Sequence, residues 1–220
     1  MNETNNLGVL LADDQPVMRL GFAALLRQLD DAFVFHEADT PKGALELARS
    51  VEPTIALIDL FLAGSLGFDL IKRLRAAAPG MAILVVSAHD ERLYAERALR
   101  AGARGYVMKH AAAKAMKQAV QAVRGGKVWL SEALRDDLVN RIASAGQPDD
   151  PAELHSLSDR EITVFRLIGQ GLKKGDIARE LSLSPHTVET YRSNIKKKLG
   201  LASGAELYRQ AFLRSQTLPV

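Results

Sequence analysis

Thr54-Ile-Ala-Leu-Ile-Asp59 is a run of aliphatic residues closed by an acid. It is too short for a helix, and it is apolar at consecutive rather than alternate positions. A strand of that kind is buried on both faces, which places it inside a parallel sheet covered by helices on each side. Four more runs read the same way: Leu7-Gly-Val-Leu-Leu-Ala12, Phe33-Val-Phe-His36, Ala82-Ile-Leu-Val-Val-Ser87 and Gly105-Tyr-Val-Met108. Between and after them, helix-period segments fall at roughly 16–29, 40–51, 67–78, 91–101 and 112–124. Five strand–helix repeats with right-handed crossovers predict an α/β domain, a doubly wound five-stranded parallel sheet.

Beyond this domain the pattern changes. Residues 129–143 read as one more helix, and Ser144-Ala-Gly-Gln-Pro-Asp-Asp-Pro-Ala-Glu153 reads as a linker. Every later element is helical. The expected organisation is 1–127 for the α/β domain, 128–155 for helix and linker, and 156–220 for a small all-α domain. Charge follows the same division. Residues 1–150 carry 18 Lys and Arg against 19 Asp and Glu, whereas residues 151–220 carry 11 against 7. A balance of −1 joined to one of +4 points to a polyanion for the second part, although a merely solvated basic surface gives the same sum.

Composition removes several classes. With 47% hydrophobic residues the chain has enough to bury a core. The absence of cysteine excludes disulfides, thiolate zinc sites and cysteine nucleophiles. No apolar stretch is long enough for a membrane span, and Met1 to Asn6 lacks the makings of a secretory signal, so a cytoplasmic protein is expected.

In an open parallel sheet, ligands sit outside the carboxyl ends of the strands. Asp13 and Asp14 follow the first strand, Asp59 closes the third, Ser87 ends the fourth and Lys109 ends the fifth. Each has an ordinary explanation: an Asp pair capping a helix, a turn hydroxyl, a surface lysine. Their joint placement at one crevice argues for chemistry. Three carboxylates repel one another and attract a cation, and hard oxygen ligands suit Mg²⁺. A hydroxyl and an ammonium beside them suit an incoming phosphoryl group, with Asp59 as its nucleophilic acceptor. A haloacid-dehalogenase-like phosphatase also uses a strand-end Asp, but it needs a second Asp where this chain has Phe61.

These residues resemble the receiver domain of two-component response regulators, a flavodoxin-like fold. The matching stretches are Leu11-Ala-Asp-Asp-Gln-Pro16, Leu57-Ile-Asp-Leu60 with Gly67 beyond it, Val85-Val-Ser-Ala88, and Gly102-Ala-Arg-Gly-Tyr-Val-Met-Lys109. The resemblance implies that Asp59 accepts phosphate from a cognate histidine kinase. It implies Mg²⁺ held by Asp14, Asp59 and the backbone carbonyl of Phe61, with Asp13 acting through water. Lys109 would pair with an acid at rest and with the phosphoryl when present. Ser87 would follow the phosphoryl inward and let Tyr106 change rotamer. Leu62-Ala63 stands where the family has Met-Pro, and Ala63 in place of proline is expected to loosen the loop. His110 replaces the proline that often follows the family lysine. Phe61 and His89 are expected to flank the path of the hydrolytic water.

In the basic part, Ser158 with Glu161 forms a capping box that opens a helix ending near Gly169–Gly171. Lys174 to Leu181 supplies a second helix and Ser182-Leu-Ser184 a turn. Pro185 then stands at the first position of a third helix with Ser184 as its N-cap. This is helix-turn-helix geometry, whose second helix enters the major groove. Val188, Tyr191, Ile195 and Leu199 form the inward stripe. His186, Thr187, Glu189, Thr190, Arg192, Ser193, Lys196 and Lys197 are the candidate DNA contacts. Arg192, Lys196 and Lys197, together with Lys198, suit phosphates, Glu189 suits cytosine N4 and Thr190 a thymine methyl.

The segment resembles LuxR-type regulators through Leu157-Ser-Asp-Arg-Glu161, Ile177-Ala-Arg-Glu-Leu181 and the run from Ser184 to Gly200. A receiver followed by this module is the NarL/FixJ architecture. By that resemblance, a last helix from about Gly204 to Arg214 mediates homodimerisation on double-stranded DNA. The reading is a phosphorylation-dependent, sequence-specific transcription regulator with no membrane association, not an enzyme. Its competitor is a phosphorylation-independent DNA binder whose degenerate receiver serves only to dimerise.

Overall fold

The computed structural model describes residues 7–143 and 156–215. The chain divides into two compact units, Met1–Asn140 and Arg141–Val220. The expected linker at 144–153 lies outside the described residues.

The first unit is built on β1 (Leu7–Ala12), β2 (Phe33–Ala38), β3 (Ile55–Ile58), β6 (Ala82–Ser87) and β7 (Gly105–Met108), and β4 (Phe61–Leu62) and β5 (Ser65–Leu66) form a separate small hairpin between β3 and β6. The five strands run parallel in the order β2-β1-β3-β6-β7. Helices α1 (Pro16–Arg27), α2 (Pro41–Ser50), α3 (Phe68–Ala77), α4 (Glu91–Ala101) and α5 (Ala113–Arg124) cover the sheet. α1 and α5 meet each other on one face, while α2, α3 and α4 pack in sequence on the other. The uniformly apolar strands have the expected cause: Val9, Leu10, Ile55, Ala56, Ile58, Leu84 and Val85 have no exposed surface. Val9, Leu11, Ile55, Leu57, Leu84 and Val86 meet Phe22, Leu26, Met116, Val120 and Val123 of α1 and α5. Alternate strand residues fill the opposite face.

Two features were not foreseen. β4 (Phe61–Leu62) and β5 (Ser65–Leu66) make an antiparallel hairpin directly after the acid of β3. Its two-residue turn, Ala63-Gly64, has positive φ at both positions, +49° and +73°, as a tight hairpin with right-handed twist requires. The loop in which Ala63 stands in place of proline has a defined turn geometry. Without proline's fixed φ and missing N–H, the chain closes into a hydrogen-bonded hairpin anchored by fully buried Leu62. Gly67 closes the segment: its N–H donates to the Leu60 carbonyl at 2.7 Å, and a Cβ there would stand 3.1 Å from that oxygen.

The second feature lies at the sheet edge. After α5 the chain returns alongside β7, where the Trp129 N–H donates to the Arg104 carbonyl at 2.9 Å. The Trp129 carbonyl accepts from the Tyr106 N–H at 3.1 Å, giving a parallel bridge to Gly105. Leu130 and Leu134 are buried, and the Ser131 hydroxyl bonds the Glu91 carboxylate at the start of α4. Helix α6 (Glu132–Ala143) follows, so residue 129 lies in the bridge rather than in the helix expected from that point. The stretch from 128 to 134 thus makes backbone bonds and buries side chains within the first unit.

The second unit comprises α7 (Asp159–Gly169), α8 (Lys174–Glu180), α9 (Pro185–Lys198) and α10 (Gly204–Ser215). The Ser158 capping box is formed on both sides: the Glu161 N–H donates to Ser158 Oγ, and the Ser158 N–H donates to Glu161 Oε2 at 2.6 Å. Ser184 caps α9 by accepting from the Thr187 N–H at 3.0 Å, with Pro185 in the first turn. Glu161 is buried and meets Lys198 Nζ at 2.7 Å, tying the start of α7 to the last turn of α9.

Candidate functional site

The parallel strands deliver their carboxyl ends to one edge of the sheet. Asp13 and Asp14 follow β1, Asp59 follows β3, Ser87 ends β6 and Lys109 follows β7. One carboxylate oxygen from each of Asp13, Asp14 and Asp59 lies within 4.8 Å of the others. Lys109 Nζ stands 2.7 Å from Asp13 Oδ2 and 2.8 Å from Asp59 Oδ2. The second oxygens of these two acids accept backbone N–H groups two residues on, from Gln15 at 2.9 Å and Phe61 at 3.1 Å. Asp13 and Asp59 are buried, whereas Asp14 is exposed and accepts from the Ala63 N–H at 3.3 Å.

Three carboxylates against one ammonium leave two uncompensated negative charges. Burial pushes the Asp59 carboxyl above its ordinary value, although Lys109 and the Phe61 N–H pull it down. For Lys109, burial disfavours the charge, yet the two carboxylates hold its ammonium above the ordinary lysine value. The donor set fits a hard divalent cation: all oxygen, charge-deficient by two, with the exposed Asp14 on the solvent side.

Ser87 has no exposed surface, and its Oγ accepts from the His89 N–H at 3.1 Å. Tyr106 is also fully buried; its hydroxyl donates to the His89 carbonyl at 2.8 Å, and burial pushes its phenol well above the ordinary tyrosine value. The ring that the resemblance expects to change rotamer therefore lies inward here. Phe61 and His89 meet edge to face with centroids 4.1 Å apart, and Tyr94 joins them, 5.7 Å from Phe61 at 90°.

On α9, His186, Glu189, Thr190, Ser193 and Lys197 are exposed, while Thr187, Arg192 and Lys196 are half-buried. Val188, Ile195 and Leu199 are buried and Tyr191 is partly so, as the helical stripe predicts. The Thr190 hydroxyl donates to the His186 carbonyl at 3.2 Å. Glu189 pairs with Lys174 of α8 at 3.6 Å and with Arg192 at 3.9 Å. Lys198, expected at a DNA phosphate, is instead engaged by buried Glu161. Sequence reasoning missed that pair, Lys174 and the Ala63 N–H. Each becomes visible only when distant segments are brought together.

An acidic crevice on a five-stranded parallel sheet, followed by a basic helix-turn-helix, defines a receiver joined to a DNA-binding module. Residues 9–121 match the response regulator receiver domain, and residues 155–211 match the bacterial regulatory proteins of the luxR family. The chain is 33% identical to the response regulator GacA of Pseudomonas aeruginosa, covering 90% of this chain and 92% of that one. It is 32% identical to the transcriptional regulatory protein MctR of Rhizobium johnstonii, covering 96% and 95%. Its fold resembles RcsB of Salmonella enterica serovar Typhimurium bound to promoter rprA with a phosphomimetic, at a TM-score of 0.64 and 23% identity over 93% of this chain and 98% of that one. The chain belongs to the response regulators with a LuxR-type DNA-binding domain, a family of transcription regulators and not of enzymes. Among the described residues, no helix is long and apolar enough to cross a membrane.

Proposed function

We propose that this transcription regulator is switched by phosphorylation of Asp59. The observation that carries the reading is the Lys109 ammonium shared between Asp13 and Asp59, in a cluster with Asp14 that stays short of positive charge. A carboxylate oxygen of Asp59 forms a bond to phosphorus as the bond from phosphorus to the kinase's imidazole nitrogen breaks. Asp14, Asp59 and the Phe61 carbonyl would hold Mg²⁺, with Asp13 acting through water. The ion would offset charge on the phosphoryl oxygens. Lys109 then exchanges a carboxylate for a phosphoryl oxygen. Ser87, whose hydroxyl now accepts a backbone N–H, bonds another.

On the second unit, the exposed face of α9 suits the major groove of double-stranded DNA. His186, Thr187, Glu189, Thr190 and Ser193 are placed for base edges, and Arg192, Lys196 and Lys197 for phosphates. Lys174 and Arg192 both approach Oε2 of Glu189, so its Oε1 could accept from cytosine N4. The regulator works in the cytoplasm as a homodimer on two half-sites, and phosphorylation shifts the population toward that dimer.

The test is acetyl phosphate with Mg²⁺, followed by intact mass, sedimentation and operator binding, with Asp59→Asn as control. Wild type should gain one phosphoryl group, dimerise and bind operator more tightly, and the control should do none of these. If wild type gains no phosphate yet binds operator as a dimer, the receiver is degenerate and the competing reading replaces this one.

A further inference from the structure

We propose that the backbone N–H of Ala63 is a positioning group for Asp14, holding the exposed carboxylate of the crevice ready for the divalent cation. The inference rests on the Mg²⁺ reading of the crevice given above. Asp13 and Asp59 need no such help. They are buried, they share Lys109, and each accepts an N–H from its own strand-end turn. Asp14 has none of these constraints. Among the described residues, its carboxylate has no cation partner, and its one hydrogen bond comes from Ala63, 49 positions along the chain, at 3.3 Å. That bond uses Oδ2 and leaves Oδ1 for a metal.

The N–H is available because of the hairpin. Ala63 and Gly64 form the turn with φ of +49° and +73°, and the flanking Leu62 is locked in the core. Proline is excluded twice over: its ring holds φ near about −65°, and it has no hydrogen to give. An alanine held at positive φ is strained, and strain of this kind persists where surrounding structure enforces it. Here the strained residue is the one whose N–H reaches the acid. The carboxylate is ordered before the ion arrives, so the ion need not order it.

The experiment is calorimetric Mg²⁺ titration of the unphosphorylated full-length protein, with thermal melting to confirm folding. Ala63→Gly keeps both the N–H and the positive φ and should bind within about twofold of wild type, whereas Ala63→Pro should bind about three- to tenfold more weakly. In an Asp14→Ala background, Ala63→Pro should change nothing, since the interaction it removes is already gone. An equal loss in both backgrounds would mean that proline acts by reshaping the hairpin, and unchanged binding by Ala63→Pro would mean that the N–H does nothing. Either result overturns the proposal. The Ala63 amide proton gives a reading that needs no metal. Its hydrogen exchange should quicken about tenfold in Asp14→Ala, and unchanged exchange overturns the proposal even where that variant binds too weakly to titrate. Wild type that shows no saturable Mg²⁺ binding, with Ala63 still protected by Asp14, defeats the metal reading instead.

Discussion

Replacing Lys109 with methionine keeps an unbranched side chain of similar reach but removes the ammonium between two buried acids. At 2.7 and 2.8 Å, each pair is worth about 6 kcal/mol of attraction at an effective dielectric of about 20. Returning the lysine to water recovers several kcal/mol, so the net loss of stability at neutral pH should be about 3–5 kcal/mol. The sign of its pH dependence follows from Asp59. A carboxyl raised by folding contributes stability that is present below its unfolded value and lost as pH rises through the folded one. Without Lys109 that rise is larger, so the deficit should shrink on acidification to about pH 5. Mg²⁺ at a hundredfold excess over the variant's Kd should stabilise it by about 2.7 kcal/mol. The deficit against wild type at the same Mg²⁺ should shrink by about 1.4 kcal/mol for each tenfold by which the acids, freed of Lys109, bind the ion more tightly. Urea unfolding followed by Trp129 is suited to the measurement, because it is the single tryptophan and belongs to the first unit. A loss below about 1 kcal/mol, or a loss insensitive to both pH and Mg²⁺, would refute the electrostatic account of the crevice.

Phe61→Asn should open the edge-to-face contact with His89 to water and speed loss of phosphate from Asp59 about tenfold, a 1.4 kcal/mol change in barrier, read by the decay of the intact phosphorylated mass. Glu161→Gln should destabilise the second unit by about 1 kcal/mol at neutral pH, followed by hydrogen exchange of α7 amides. Burial works against the Glu161 charge, but Lys198 and Ser158 hold its pKa below the ordinary value, so the wild-type contribution is present above the usual glutamate range and fades as pH falls through the lowered one. The glutamine variant should lack that acid-dependent loss. Lys197→Ala should weaken binding to all DNA sequences alike and lower the salt slope by about one, measured by titration at several salt concentrations.

The parts of this protein that the sequence reveals are those encoded locally or by repetition. Aliphatic runs such as Ile55 to Ile58 announce buried strands, and the acids after the first and third runs, with Ser87 and Lys109 at the ends of the fourth and fifth, announce the crevice. Ser158 with Glu161, and Ser184 with Pro185, mark helix starts because caps are chemistry between near neighbours. What stayed hidden depends on segments meeting in space. The hairpin after Asp59 has strands of two residues and a turn of Ala-Gly rather than Asn-Gly, so neither periodicity nor turn chemistry points to it. The bonds of Ala63 to Asp14, Lys198 to Glu161 and Lys174 to Glu189 join residues 49, 37 and 15 positions apart. Tyr106 was legible as a residue, but its inward rotamer is set by the His89 carbonyl.

The return of the chain beside β7 bears on how the first unit should be excised for separate study. A fragment cut after residue 127 would lose the acceptor of the Tyr106 N–H and the donor to the Arg104 carbonyl, together with buried Leu130 and Leu134. The raw margin left behind is the kind of surface onto which strands of neighbouring molecules add. Self-association of so short a piece would report the damage of truncation, not the oligomeric habit of the intact regulator. Cutting after Asn140 keeps the sheet margin sealed.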